Sequence, residues 1–196
     1  QNHPDGESMV KKLNDLRIIP GIKVDRGLNP LPGGGDVETF CSGLDGLVER
    51  AAKYYEQGAR FAKWRAVLQI TGDGCPSKLS IQDNTWGLAR YARSVQESGL
   101  VPIIEPEILM DGDHTIEKTA EVQEEVIKQV YIACQANGVF LEGTLLKPSM
   151  TVNGAECMTK ADPMKVAEMT IRTMERCVPA SVPGIVFLSG GLSEEA

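Results

Sequence analysis

Five short runs rich in Val, Ile and Leu recur along this 196-residue chain: GIKVD (21–25), FAKWRAVL (61–68), PIIEPEIL (102–109), FLEGTLLKP (140–148) and GIVFLSGG (184–191). Starts near residues 22, 61, 102, 141 and 184 are separated by 39, 41, 39 and 43 residues, and each run is followed by an amphipathic stretch. A strand followed by a helix is the supersecondary unit that fits such a period, and strands alternating with helices imply parallel pairing through right-handed crossovers. The class expected is therefore α/β.

Helix punctuation supports the division. Ser42 is placed to cap SGLDGLVERAAKYYEQ, which ends at Gly58; residues 77–98 end at Gly99; a third helix runs from Asp113 or Thr115 to Gly138. Asp162-Pro163, an N-cap followed by proline at the first helical position, opens 163–177, and residues 6–16 make one more short helix. LNPLPGGGD (28–36) reads as a loop with several unusual backbone angles. A doubly wound dinucleotide binder would show G-x-G-x-x-G directly after an early strand, and PGGGD does not follow that pattern. Chemistry repeated at strand ends favours a TIM barrel, (β/α)8, to which this chain supplies about five βα units within a single domain over 1–196.

The balance of 20 Lys+Arg against 27 Asp+Glu, net −7, disfavours a nucleic-acid partner, since nonspecific phosphate-backbone affinity comes from clustered cations. No apolar run approaches the ~18 residues of a membrane span, and QNHPDGESMV has neither a basic n-region nor an apolar h-region, so the expectation is a soluble, unprocessed protein without membrane insertion. Cys41, Cys75, Cys134, Cys157 and Cys177 are odd in number, far apart and without a C-x-x-C pair, which fits a cytoplasmic location. With only His3 and His114, a three-histidine metal site is impossible, and no metal or cofactor is expected.

Buried parallel strands normally read as uninterrupted apolar residues. Here Lys23 and Asp25, Lys63 and Arg65, and Glu105 and Glu107 sit two apart in three of the runs, and Lys147 ends a fourth. Period-two spacing aims each pair to one face of its strand. Seven charges so placed must neutralise one another, reach solvent at strand tips, or meet a charged ligand. A structural ion-pair network is the plain alternative; a pocket with excess Lys and Arg suits an anionic, phosphorylated substrate.

Lys147 follows the apolar GTLL and precedes Pro148. Desolvation and the nearby cations Lys63 and Arg65 both favour a neutral amine, able to attack a carbonyl and form a Schiff base, whereas a snorkelling lysine is the ordinary alternative. Glu105, between Ile104 and Pro106, is the candidate general acid and base for carbinolamine dehydration. Ser189-Gly190-Gly191, before a helix-like LSEEA, could bring backbone N–H groups to an anion.

Taken in order, GIKVDRG, GLDGL, FAKWR, VPIIEPEIL, DGDH, LEGTLLKP and FLSGG resemble class I fructose-1,6-bisphosphate aldolase from about residue 18 onward. The resemblance implies a cofactor-free glycolytic lyase that cleaves fructose 1,6-bisphosphate to dihydroxyacetone phosphate and glyceraldehyde 3-phosphate. It makes Lys147 the Schiff-base lysine, Glu105 the proton donor and acceptor, and Lys63 the lysine assisting proton transfer and carbon–carbon cleavage, with Glu107 a supporting carboxylate. Arg65 and Lys23 match cations toward the 6-phosphate; Ser189, Gly190 and Gly191 match the loop for the 1-phosphate. A homotetramer is also implied.

The family's earlier strand with a catalytic aspartate, its later strand with a phosphate-binding arginine and its C-terminal tyrosine have no counterpart here. The sequence therefore reads as an internal segment, expected to have negligible lyase activity alone. Two other readings stay open: a Schiff-base lyase acting on a different sugar phosphate, and a non-catalytic scaffold for cytoskeletal or membrane-protein tails, whose acidic peptides suit the Lys63/Arg65/Lys147 pocket.

Overall fold

A computed structural model describes Pro4 and residues 6–188. Its centre is a four-stranded parallel sheet in the order β1-β4-β5-β6, formed by β1 (Gly21–Lys23), β4 (Phe61–Leu68), β5 (Val101–Ile108) and β6 (Leu145–Leu146). The fifth apolar run joins it at one point: Ile185 bridges Leu146 in parallel, with Val186 N–H donating to Leu146 O at 2.9 Å. Each sheet strand lies beside the next in sequence, as a βα repeat requires.

The helices that pack on the sheet do so on one face. Even-numbered residues of β4, including Ala62, Trp64 and Ala66, are buried against them, while Phe61, Lys63 and Arg65 face the other way. Trp64 stacks on Tyr91 of α3 (Lys78–Gln96), ring centroids 5.4 Å apart, and Leu88, Ala92 and Val95 complete the contact. Helix α4 (Ile116–Ala136) adds Val130, Ala133 and Cys134, and α5 (Pro163–Cys177) packs beyond it through Met174 and Cys177. Gly21 is required by close approach: a Cβ there would lie 2.1 Å from the Phe61 ring.

Three side-chain N-caps form, of which the sequence indicates the one at Asp162. Ser77, Thr115 and Asp162 accept from the N–H groups of Ser80, Lys118 and Lys165, each cap worth about 1 kcal/mol. The short N-terminal helix is α1 (Met9–Asp15).

Four expectations are corrected. Ser42 caps no helix; its hydroxyl donates to Gly27 O, and α2 (Leu47–Glu56) begins only after Gly46, whose φ of 62° holds the chain in a turn. Arg50 ties that turn down by donating to the carbonyls of Val24, Gly43 and Asp45. Residues 28–36 are not all loop: β2 (Leu28–Pro30) pairs antiparallel with β3 (Thr39–Cys41). In the fourth run only Leu145–Leu146 is strand, because the Gln96 side chain exchanges hydrogen bonds with both the N–H and the C=O of Phe140, and Leu141–Gly143 coils into a 3-10 turn. In the first run the strand ends at Lys23, with Val24 N–H still donating to Lys63 O at 3.0 Å.

The hairpin is clipped to α3 by Glu38, whose carboxylate accepts from Gly35 N–H, Ser77 N–H and the Ser77 hydroxyl. Burial pushes this carboxyl up, but the bonds from Ser77 and Gly35 outweigh it and hold it below the ordinary 4.5. Because the folded value is depressed, the clip contributes fully above the unfolded value and is lost as pH falls through the folded one. Glu38→Ala should cost about 3 kcal/mol in urea unfolding at pH 7, and less as pH falls below 4.5. An equal cost at both pH values would show that the carboxylate charge contributes nothing.

Candidate active site

The charged residues all lie on the sheet face opposite the helices, and register decides how they meet. Lys63 pairs with Ile103 and Arg65 with Glu105 in the β4–β5 ladder, so Glu105 falls one diagonal step from Lys63 and Glu107 one step from Arg65. On the other side Leu146 pairs with Ile104, and Lys147 N–H donates to Ile104 O at 2.7 Å, which brings the Lys147 side chain beside Glu105.

At the centre is one carboxylate between two ammonium groups. Lys147 Nζ donates to Glu105 Oε1 at 2.9 Å, and Lys63 Nζ lies 2.9 Å from Oε2 as an ion pair, off the hydrogen-bond direction. Glu105 is 3% exposed, and the two lysines are partly open on the side away from it. Buried carboxylates of this kind persist only when compensated. Arg65 pairs with Glu107, a contact that raises the guanidinium's proton affinity further, while leaving about a third of the arginine side chain exposed.

Lys23 pairs with Asp25, and Asp25 also accepts from Gly27 N–H at 3.2 Å. The Asp25 side chain is 2% exposed, and its Oδ2 has no hydrogen-bond partner. Burial first, then Asp25, pushes the Cys41 thiol up to about 12, so Cys41 is an inert neighbour rather than a nucleophile. In the sequence Asp25 is half of a charged pair without a role; in the structure it is a buried carboxylate paired with Lys23.

All seven charges are thus paired, so the ion-pair alternative is realised as a description of the face. What it does not account for is the sharing of one buried carboxylate by two lysines with exposed flanks, four cations against three carboxylates. Nor are the charges confined to strand tips: Lys23 closes β1 and Lys147 follows β6, but Lys63 and Glu105 are mid-strand. Ser189, Gly190 and Gly191 lie outside the described residues. A cavity of about 270 Å³ between Phe40, Trp64, Asn84 and Trp86 is behind β4 and contains none of this cluster. Among the described residues no group of three His, Cys, Asp or Glu side chains is arranged to hold a metal ion.

A family model described as glycolytic fructose-bisphosphate aldolase class-I matches residues 1–196. The chain belongs to the class-I fructose-bisphosphate aldolase family. It is 54% identical over 194 residues to fructose-bisphosphate aldolase 3, chloroplastic, of Arabidopsis thaliana, covering 99% of this chain and 49% of that one. To fructose-bisphosphate aldolase of Dictyostelium discoideum it is 54% identical over 195 residues, covering 99% and 54%. Among solved structures, a ternary complex of Plasmodium falciparum fructose-bisphosphate aldolase with TRAP and a small-molecule inhibitor superposes with a TM-score of 0.97 at 53% identity, over all of this chain and 56% of that one. The chain thus spans about half the length of these aldolases, and its parallel sheet with alternating helices is part of a TIM barrel.

Proposed function

We propose that this chain carries the Schiff-base centre of a glycolytic aldolase that cleaves fructose 1,6-bisphosphate. The observation behind the reading is Glu105, buried between Lys63 and Lys147 on the charged face of a chain that matches the aldolase family throughout.

The reaction follows from that geometry. Lys147 first passes a proton to Glu105, and the neutral amine so formed attacks the C2 ketone, whose oxygen takes that proton to give a carbinolamine. Glu105, 2.9 Å from Lys147 Nζ, takes the proton released by nitrogen and gives one to the departing hydroxyl, which leaves as water. In the resulting iminium, loss of the 4-hydroxyl proton breaks the C3–C4 bond, and the electron pair flows into the iminium to leave an enamine. Glyceraldehyde 3-phosphate departs as the aldehyde. Protonation of the enamine at C3 and hydrolysis of the imine release dihydroxyacetone phosphate and restore the lysine. Lys63, on the opposite oxygen of Glu105, steadies the carboxylate through these proton transfers. Removal of the 4-hydroxyl proton belongs to the family's aspartate, which this sequence does not match.

Lys23 and the exposed part of Arg65 supply positive charge at the edge of the cluster, suited to the 6-phosphate. The matching relatives include chloroplastic forms and others named without a compartment; five free cysteines favour the cytosolic reading. A homotetramer rests on the family resemblance.

The test compares fructose 1,6-bisphosphate with fructose 1-phosphate in the full-length gene product. Arg65→Ala should lower kcat/KM for the bisphosphate by about 10- to 100-fold while changing the 1-phosphate little. Equal losses on both substrates would remove Arg65 from the 6-phosphate site, and no cleavage of either by the parent protein would overturn the aldolase reading.

A further inference from the structure

The segment directly after Lys147 has no ladder of its own. Strand β6 ends at Leu146, and residues 147–154 belong to no helix or strand. Such a stretch would leave the lysine loosely placed, because only Lys147 N–H to Ile104 O ties it to β5 by backbone at that point.

Side chains supply what the ladder lacks. Gln123, in the middle of α4 and 2% exposed, donates through Nε2 to Ser149 O at 2.9 Å and to Ser149 Oγ at 3.0 Å. Its Oε1 accepts from the Thr151 hydroxyl at 2.6 Å. Ser149 Oγ in turn accepts from Ile108 N–H at 3.3 Å, and Thr151 N–H donates to Thr170 Oγ1 of α5 at 2.9 Å. One buried amide therefore joins the stretch behind Lys147 to α4, while Ser149 carries the connection on to β5, the strand that holds Glu105.

Every polar group in this network is deeply buried, and such groups are costly unless satisfied, so the network has one low-energy arrangement and holds the segment to it. That rigidity bears on chemistry. Imine formation needs Lys147 Nζ within proton-transfer reach of Glu105, and a displacement near 1 Å can cost about 100-fold in rate.

We propose that Gln123 is a positioning residue for Lys147, holding the unladdered segment so that the lysine stays on Glu105; this rests on the Schiff-base reading above. Gln123→Leu keeps much of the side-chain volume and removes both functions of the amide. Thr119→Val is the matched control, because Thr119 makes an equally buried bond from α4 to Val152 O, at 2.7 Å and further from the lysine.

The measurement is borohydride trapping of dihydroxyacetone phosphate on Lys147 in the full-length gene product, at temperatures where each variant is folded by circular dichroism, together with kcat and KM for cleavage. Gln123→Leu should slow trapping and kcat by about 10- to 100-fold with KM within about twofold, and Thr119→Val should leave both rates near the parent's. Gln123→Glu adds a pH signature. Its new carboxyl accepts from Thr151 at any pH but donates to Ser149 only when protonated, so its trapping rate relative to the parent should recover as pH is lowered. If Gln123→Leu does not fold, Ser149→Ala and Thr151→Val carry the same comparison. Equal rates in the Gln123 and Thr119 variants, or a flat ratio for Gln123→Glu, would overturn the positioning role alone. Absence of any label on Lys147 in the parent would overturn the Schiff-base reading itself.

Discussion

Lys147→Arg should abolish cleavage and leave no borohydride-stable adduct with dihydroxyacetone phosphate. Arginine keeps the positive charge opposite Glu105 but has no amine that can add to a ketone and lose water. The substitution therefore separates the pairing that Lys147 makes in the structure from the covalent role proposed for it. As a cation it is one of two partners of a buried carboxylate, and arginine can still pair there; as a nucleophile it has no substitute. The expected loss in kcat is at least about four orders of magnitude, or about 5 kcal/mol of barrier, while substrate affinity and thermal stability change little. Peptide mapping of the trapped parent protein should place the label on the peptide containing Lys147. A label elsewhere, or an arginine variant retaining a few per cent of activity, would remove this lysine from the covalent step.

Glu105→Gln is the second large effect. Glutamine has nearly the same shape, so packing on β5 is kept, but it can neither take the proton released when nitrogen attacks nor return one to the leaving hydroxyl. General acid–base catalysis of this kind is worth about 10²- to 10⁴-fold. The substitution also leaves two ammonium groups facing a neutral amide, one of whose atoms is a donor rather than an acceptor, and a buried position makes that mismatch costly. The two contributions are separable. Single-turnover imine formation reads the chemistry and urea unfolding reads the electrostatic cost. A variant that forms imine within about threefold of the parent rate would show that Glu105 serves only to hold the lysines.

The charged face was legible because charge within a parallel strand is anomalous, and spacing by two assigns Lys63 with Arg65 and Glu105 with Glu107 to common faces without knowledge of the fold. Which cation meets which carboxylate was not legible. That depends on the register Lys63 to Ile103 and Ile104 to Leu146, set by backbone hydrogen bonds between strands whose connections are long helices, and no local signal records it. Ser42 misled because a serine before an apolar periodic stretch is an N-cap in most settings, whereas two positive-φ glycines, Gly43 and Gly46, postpone the helix here. FLEG has strand composition, and only a distant side chain, Gln96, bends it into a turn.

Gln123 had a signal that was passed over. Ile116, Ala120, Ile127, Val130 and Cys134 form a buried stripe on α4 at helical spacing, and position 123 falls on that stripe. A glutamine in such a series is either an error in the pattern or a residue with partners inside, and its partners are in a segment with no regular structure.

Lys147 lies 42 residues beyond Glu105, and Lys63 the same interval before it, so the three central groups recur in phase with the βα unit. The consequence concerns what such a chain can tolerate over evolutionary time. Length changes in the helices or their loops alter the interval without moving any group, since each strand is registered against its neighbour and not against the chain. One residue gained or lost between Val101 and Glu105 does the opposite. It turns the carboxylate toward the helices and sends an apolar side chain into the charged face, which would end the chemistry proposed for it while conserving almost every letter.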